Sequence, residues 1–291
     1  MKRVLITGVN GLIGSTIAEL LLTNYEVIGT SIEERNNTGL TFEYIQSDIT
    51  EKAMFDKLPS KIDVIVHCAA VISSDKFSNL LLKANCIGVQ NVAEYALKDA
   101  CGQVVYFSSL PIIGKPSIIP ITEEHPVDPP TVYHITKYFG ELILKKCLEE
   151  KQLVIFRIPS PIGRKTAPNK IVPMFVRNAI ANEGFNLLGQ GNRIQNYIDV
   201  RDIARAVECA IKKNANGIFN IASERSYSNK ELAELCIELF NSNSKISYCG
   251  IDKEEDYQWI VSTEKAKRDL GFVAKHTLID TLLEISENFK V

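Results

Sequence analysis

Over its first 160 residues the chain alternates between short apolar runs and longer amphipathic stretches. The runs are rich in Val and Ile, which is typical of strands buried on both faces of a parallel sheet. The predicted strands are Val4–Ile6, Glu26–Thr30, Thr41–Gln46, Asp63–His67, Gln103–Phe107 and Leu153–Arg157. The predicted helices between them include Leu12–Leu22, Asn79–Lys98 and Thr131–Leu148. This alternation predicts an α/β fold with a doubly wound parallel sheet.

The pattern changes after residue 163. Residues 164–196 are irregular apart from a helix near Pro173–Asn182, and the remaining stretches predict two short strands and three helical segments. These are Tyr197–Val200, Asp202–Lys213, Gly217–Ile221, Lys230–Phe240 and Thr263–Phe289, the last broken at Gly271. We therefore predict a first domain over 1–163 and a smaller, discontinuous C-terminal domain over 164–291, with segments near 197–221 returning to the sheet.

The composition limits the classes of binding partner and the cellular location that we expect. The 291-residue chain has a net charge of −2, which gives no reason to expect nucleic acid or an anionic membrane as partner. It has no apolar run long enough to span a membrane and no signal peptide before the first strand, so we expect a cytoplasmic protein. The seven cysteines form no CxxC or metal-ligand pattern, which favours reduced thiols and no metal site.

A glycine-rich turn follows the first strand, with Gly8, Gly11 and Gly14 spaced as GxxGxxG. In this strand–turn–helix context, the glycines permit a sharp turn, close approach of a pyrophosphate and close helix packing. A tight corner without a ligand is the alternative interpretation. The end of the second strand leaves NAD or NADP open, because Ser31 and Arg35 suit a 2′-phosphate whereas Glu33 and Glu34 would repel it.

Other polar residues lie at or near the carboxyl ends of predicted strands, where α/β folds bind ligands. Two roles are open for Asp48, which either caps the next helix or accepts from an adenine amino group. For His67 we favour a core histidine over a catalytic role. Asn85 interrupts an apolar helix face, so its amide needs partners, either a neighbouring loop or the active site through water. Ser108 and Ser109 end the fifth strand.

The helix predicted from Thr131 begins with Tyr133-His134-Ile135-Thr136-Lys137. Spacing of i, i+4 stacks Tyr133 and Lys137 on one face. Tyrosine titrates near pH 10 in water, and a neighbouring ammonium together with an oxidised nicotinamide is expected to lower that pKa towards neutral pH. A stacked surface pair is the alternative interpretation of so short a motif.

Taken together, these pieces resemble the extended short-chain dehydrogenase/reductase family, the branch of NAD(P)-dependent nucleotide-sugar epimerases, dehydratases and reductases. The matching segments are TGVNGLIG at 7–14, HCAA at 67–70, SS at 108–109, YHITK at 133–137 and YIDVRDIARA at 197–206, together with Asp48 and Asn85. The resemblance implies a Rossmann fold and a catalytic set of Ser109, Tyr133 and Lys137. It also implies a set of dinucleotide contacts: Gly8, Gly11, Leu12, Ile13, Gly14, Asp48, Ile49, Ala69, Asn85 and Lys137.

Departures from the family pattern shape the expected chemistry. Leu110 and Pro111 stand where dehydratases of this family place an Asp-Glu pair, which disfavours a dehydratase. The phosphate-binding arginine of sugar-nucleotide epimerases is missing near Gln195, and Arg193 or Lys170 are candidate replacements. We expect hydride transfer at a secondary alcohol or ketone, as a nucleotide-sugar 4-epimerase or 4-ketoreductase. The alternatives are a reductase of a non-sugar ketone and a non-catalytic dinucleotide sensor. A homodimer through helices near 79–98 and 131–148 is expected from the resemblance.

Overall fold

The computed structural model of the chain describes residues 1–148 and 152–289. Its main feature is a seven-stranded parallel sheet. The strands are β1 (Arg3–Thr7), β2 (Glu26–Ser31), β3 (Glu43–Gln46), β4 (Val64–His67), β5 (Gln103–Ser109), β6 (Gln152–Ile158) and β10 (Gly217–Asn220). Their order in the sheet is β10-β6-β5-β4-β1-β2-β3. The predicted doubly wound parallel sheet is confirmed.

Helices cover both faces of this sheet and build the smaller half of the chain. They are α1 (Leu12–Leu21), α2 (Asn79–Leu82), α3 (Gly88–Lys98), α4 (Val132–Cys147), α5 (Ile171–Ile180), α6 (Val200–Lys213), α7 (Asn229–Leu239) and α8 (Leu278–Ser286). A π-helical turn, Lys83–Ile87, joins α2 to α3, and a second one spans Ala266–Leu270. Short 3-10 turns lie at Lys52–Lys57, Leu110–Ile113 and Glu287–Phe289.

Two apolar cores sandwich the sheet because successive strand residues point to opposite faces. Val4 and Ile6 of β1 pack with α1 and α6, whereas Leu5 between them packs with α3 and α4. This burial on both faces explains why the strands read as continuous apolar runs.

The smaller half has its own core. The short strands β7 (Ser160–Ile162), β9 (Ile194–Asp199) and β11 (Ser226–Ser228) form one sheet, and β8 (Phe185–Leu188) pairs with β12 (Ile246–Cys249). Apolar residues of α5, α7 and α8 pack against these strands. Two elements that lie between β9 and β11 along the chain belong elsewhere: β10 is part of the large sheet, and α6 is part of the helical layer that covers it.

Several predicted boundaries differ from the structure. The helix predicted over Asn79–Lys98 contains the π-turn, and the strand predicted over Tyr197–Val200 begins at Ile194 and ends at Asp199. The side chain of Asp199 caps α6 by accepting from the backbone N–H of Arg201, so Val200 is helical. In the tail, residues 271–277 are not helical, because Gly271 adopts a φ of 67° and ends the preceding turn. Within the described residues we find no helix with the length and apolarity to cross a membrane.

Candidate active site

The glycine-rich turn between β1 and α1 is closely packed. Gly8 has a φ of +66°, and a Cβ there would lie 2.7 Å from the backbone of Ala69. A Cβ on Gly14 would lie 2.4 Å from the carbonyl oxygen of Gly8. Gly11 occupies the N-cap of α1 with no side chain between the helix end and the cleft. The turn thus presents backbone N–H groups at the start of a helix, a suitable site for a pyrophosphate.

A cavity of about 660 Å³ opens at the carboxyl edge of the sheet. It brings together most of the predicted site residues: Gly8, Gly11, Leu12, Ile13, Gly14, Ser109, Tyr133 and Lys137. Three chain segments distant in sequence therefore meet at one place, which is the arrangement the predicted chemistry requires. The individual roles of these residues stay predictions.

The other predicted dinucleotide contacts lie outside this cavity lining. The carboxylate of Asp48 accepts from the backbone N–H of Thr50 at 2.8 Å, and Ile49 is buried in the core. The backbone N–H of Ala69 donates to the Thr7 hydroxyl at 3.3 Å. Ala69 is flanked by Cys68 and Ala70, which do line the cavity.

Asn85 lies on the π-turn and is 1% exposed. Its side-chain oxygen accepts from the backbone N–H of Val71 at 2.8 Å, and its amide donates to the Val71 carbonyl at 2.9 Å and to the Thr136 hydroxyl at 3.0 Å. Of the two roles left open for this buried amide, the structure contains the bridge to the neighbouring loop. Because Thr136 precedes Lys137, the same bridge also anchors α4.

Helix α4 carries Tyr133 and Lys137 into the cavity from its first two turns. Thr131 caps the helix by accepting from the backbone N–H of His134. Burial raises the pKa of Tyr133 to about 12, and burial lowers the pKa of Lys137 to about 8. Lys137 is 4% exposed.

The lowering expected for the Tyr133 pKa combined a neighbouring ammonium with an oxidised nicotinamide, whereas the protein's own groups raise this pKa. Removing a phenolate from water disfavours the charged form, and within the chain's own groups this effect dominates. The positive charge of Lys137 does not by itself bring Tyr133 into the neutral range.

His67 is a buried core residue, the interpretation favoured for it. Its Nδ1 lies 2.7 Å from the Thr7 hydroxyl, while its Nε2 has no hydrogen-bond partner among the described residues. Burial, together with the charge of Lys137, lowers the pKa of His67 to about 3, so the ring is neutral at physiological pH.

The same cavity contains cationic residues near the start of α5. Lys170 is the N-cap residue of α5, and it lines the cavity with Ile171 and Val172. Lys165 also lines it and lies 3.5 Å from the Ser15 hydroxyl on α1. Lys165 was missed because nothing in its sequence context separates it from a surface lysine.

A second cavity of about 300 Å³ adjoins the first and shares His134, Ser160 and Gln195 with it. Arg193 lines this second cavity and forms an ion pair with Glu254 there. Of the two proposed replacements for the missing phosphate-binding arginine, Lys170 therefore lies in the main cavity, and Arg193 is already paired with an acid.

Comparison with known proteins places this site in a family. Residues 4–222 match the model of the "NAD dependent epimerase/dehydratase family". The chain belongs to this family. It is accordingly an NAD-dependent enzyme of the extended short-chain dehydrogenase/reductase type, which confirms the resemblance seen in its motifs.

Relatives in this epimerase/dehydratase family match over nearly the whole chain. A putative UDP-glucose 4-epimerase of Methanocaldococcus jannaschii is 27% identical over 91% of each chain. A dTDP-glucose 4,6-dehydratase of Streptomyces niveus is 24% identical over 99% of this chain and 93% of its own. The solved UDP-glucose 4-epimerase of Thermotoga maritima, bound to UDP-glucose, has a TM-score of 0.90 and 24% identity over 99% and 98% of the two chains.

Proposed function

We propose that the protein is a nucleotide-sugar 4-epimerase that keeps its NAD bound, with a 4-ketoreductase of the same substrates as second candidate. The observation that carries the proposal is that Ser109, Tyr133 and Lys137 share one cavity with the glycine-rich turn and with the start of α5. The relatives named as UDP-glucose 4-epimerases support it.

The start of α5 suits the pyrophosphate of a nucleotide-linked sugar. Ile171 and Val172 are the first residues of a ten-residue helix, so their backbone N–H groups have no partner within the helix. The positive end of the helix dipole and the ammonium of Lys170 both favour an anion at this place. Two anion-binding helix starts thus border one cavity, α1 for the dinucleotide and α5 for the substrate.

The residues between these two helix starts would carry the proton chemistry. NAD, when bound, supplies the hydride acceptor and donor. The Tyr133 hydroxyl exchanges a proton with the substrate oxygen, and Ser109 orients that oxygen by a hydrogen bond. Lys137 contributes positive charge that stabilises the tyrosinate and holds the nicotinamide ribose, so that Tyr133 and the cofactor charge act on the same oxygen.

Two side chains argue against dehydration. Leu110 is fully buried in an apolar cluster with Ile112 and Trp259, and Pro111 has no acidic group. Neither supplies the carboxylates needed to remove a proton and expel water. These two positions therefore favour epimerisation or ketone reduction over dehydration.

We propose NAD over NADP from the residues that follow β2. The hydroxyl of Ser31 and the amide of Asn10, at 3.3 Å, both donate to the carboxylate of Glu33. These hydrogen bonds lower the pKa of Glu33, led by the one from Ser31. An ionised carboxylate at this strand end can accept from ribose hydroxyls and repels a 2′-phosphate.

We also propose a homodimer built through α2, α3 and α4. Apolar side chains on these adjacent helices and on the π-turn between α2 and α3 are exposed: Leu80, Ile87, Leu97, Ile135, Phe139 and Leu142. The proposed division assigns 1–163 to the dinucleotide and 164–291 mainly to the substrate. No disulfide bond is seen among the described residues, which supports the proposed cytoplasmic location.

The test is turnover of UDP-glucose and dTDP-glucose, with product analysis and absorbance at 340 nm. The proposal predicts the C4 epimer without net reduction or oxidation, whereas stoichiometric consumption of NADH or NADPH with a 4-keto sugar would indicate the ketoreductase. Tyr133→Phe should abolish turnover and keep NAD binding, while Tyr138→Phe on the same helix should leave both turnover and NAD binding unchanged. Failure to bind any member of a panel of nucleoside diphosphates that includes UDP and dTDP would contradict a nucleotide-sugar substrate and favour a non-sugar ketone.

A further inference from the structure

Lys137 is largely buried, and it lines the main cavity. The residue is 4% exposed, and no hydrogen bond or ion pair to its Nζ is seen among the described residues. Burial of an unpaired charge is costly, so a group that must stay charged here needs another source of stabilisation.

The face of Tyr106 lies in the position to provide it. Nζ of Lys137 is 4.4 Å from the centroid of the Tyr106 ring, well within the range of a cation–π contact. Tyr106 is fully buried on β5, three residues before Ser109. In a largely buried site, the negative face of an aromatic ring attracts a cation more strongly than at the surface.

Three contacts hold the Tyr106 ring in that orientation. Its hydroxyl donates to the backbone carbonyl of Lys137 at 3.0 Å. A Cβ on Gly140 would lie 2.2 Å from the Tyr106 hydroxyl, so α4 approaches this closely because residue 140 has no side chain. On the neighbouring strand, the ring of His67 stacks on Tyr106 with a 16° angle between the planes.

We propose that Tyr106 is a positioning residue that holds the charged amine of Lys137 at the reaction centre through the face of its ring. The inference rests on the role of Lys137 in the proposed function. It adds a contribution from β5: the strand that ends in Ser109 also provides the support beneath Lys137.

Other titratable groups surround this amine from every element that packs on it. They are His67 at the end of β4, Cys68 directly after it, Cys86 from the π-turn, and Tyr133 and Glu141 from α4 itself. The imidazole of His67 is neutral, and burial raises the pKa of both Cys68 and Cys86, so both thiols are protonated at neutral pH. Glu141 is engaged by Arg157 at 2.8 Å. The Tyr106 ring, whose centroid lies 4.4 Å from Nζ, is therefore the contact to which we assign this stabilisation.

The test compares Tyr106→Leu, which removes the ring, with Tyr106→Phe, which keeps the ring and removes the hydroxyl. The full-length chain is labelled with ¹³Cε-lysine, and the Lys137 resonance is identified by its absence in Lys137→Met. We expect Lys137 to titrate near pH 8 in the parent and in Tyr106→Phe. In Tyr106→Leu its titration should move about 1 to 1.5 pH units lower, from the size of a desolvated cation–π contact.

Phe156→Leu is the matched control, because Phe156 is an equally buried ring on the adjacent strand that points into the opposite core. It should leave the Lys137 titration unchanged. An unchanged titration in a folded Tyr106→Leu protein, or an equal shift in Phe156→Leu, would overturn the inference.

A second measurement separates this inference from the proposed function. NAD⁺ affinity, measured by calorimetry at pH 6 and pH 7.5, should fall severalfold in Tyr106→Leu at pH 7.5 and recover at pH 6. If Lys137→Met binds NAD⁺ as the parent does, the proposed role of Lys137 is wrong. If Lys137→Met loses affinity while Tyr106→Leu matches Phe156→Leu at both pH values, the role of Tyr106 is wrong.

Discussion

Replacement of Lys137 by methionine should stabilise the fold at neutral pH. Burial lowers the pKa of this lysine from its ordinary value of 10.5 to about 8. A difference of that size corresponds to about 3 kcal/mol of unfavourable interaction of the charged form in the folded protein. Methionine fills a similar volume without a charge, so Lys137→Met should resist unfolding by up to about 3 kcal/mol more than the parent.

The pH dependence follows from the sign of this shift. Below pH 8 the lysine is charged in both the folded and the unfolded chain, and the folded protein carries the whole penalty. Between pH 8 and 10.5 the unfolded chain binds more protons, so the stability of the parent rises with pH. Above pH 10.5 the amine is neutral in both states, and the difference between parent and variant should disappear.

Urea unfolding of the parent and of Lys137→Met at pH 7 and at pH 10.5 measures the difference in free energy of unfolding at each pH. The fluorescence of the single tryptophan, Trp259, reports the transition because this side chain is buried. A variant that is less stable than the parent at pH 7, or a difference that does not shrink with rising pH, would refute the reasoning. Such a result would mean that Lys137 stabilises the folded protein and that its burial does not lower the free energy of unfolding.

Three further predictions concern the supports of the site. Glu141→Gln should lower the free energy of unfolding by about 3 to 5 kcal/mol in urea titrations, because it leaves the buried guanidinium of Arg157 without its carboxylate. Replacing both Glu141 and Arg157 by apolar residues should lower the free energy of unfolding by less. Gly8→Ala should reduce NAD⁺ affinity at least tenfold by calorimetry, since its Cβ has no room; Gly39→Ala, at a φ of +81° with no described atom within 4 Å, should leave affinity unchanged. Asn85→Ala should destabilise the fold by about 1 to 3 kcal/mol, because the partly buried backbone N–H and carbonyl of Val71 lose their partners.

The large sheet was predictable because most of its strands, including β1, β4 and β5, are buried apolar runs. The strands β7, β8, β11 and β12 have three or four residues each, too few to produce a periodic signal. Their pairing depends on contacts between segments distant in the chain.

The candidate site was predictable where a motif reports local geometry. Gly8 needs a positive φ, which favours glycine, and Tyr133 and Lys137 need helical spacing of four residues. Residue type and spacing are both visible in the sequence. The support of Lys137 by Tyr106 depends on how α4 packs on β5, which no local pattern records. The raised pKa of Tyr133 likewise depends on its burial in the folded protein, which no local pattern records.

The central claim is that hydride leaves C4 of a nucleotide-linked sugar and returns to the same carbon within one active site. Incubation with UDP-[4-²H]glucose, followed by mass spectrometry and NMR of the products, tests it most directly. The account predicts UDP-galactose that keeps deuterium at C4, with no NADH released to solution and no product from Tyr133→Phe. Loss of the label from C4, or the same product from Tyr133→Phe, would contradict it.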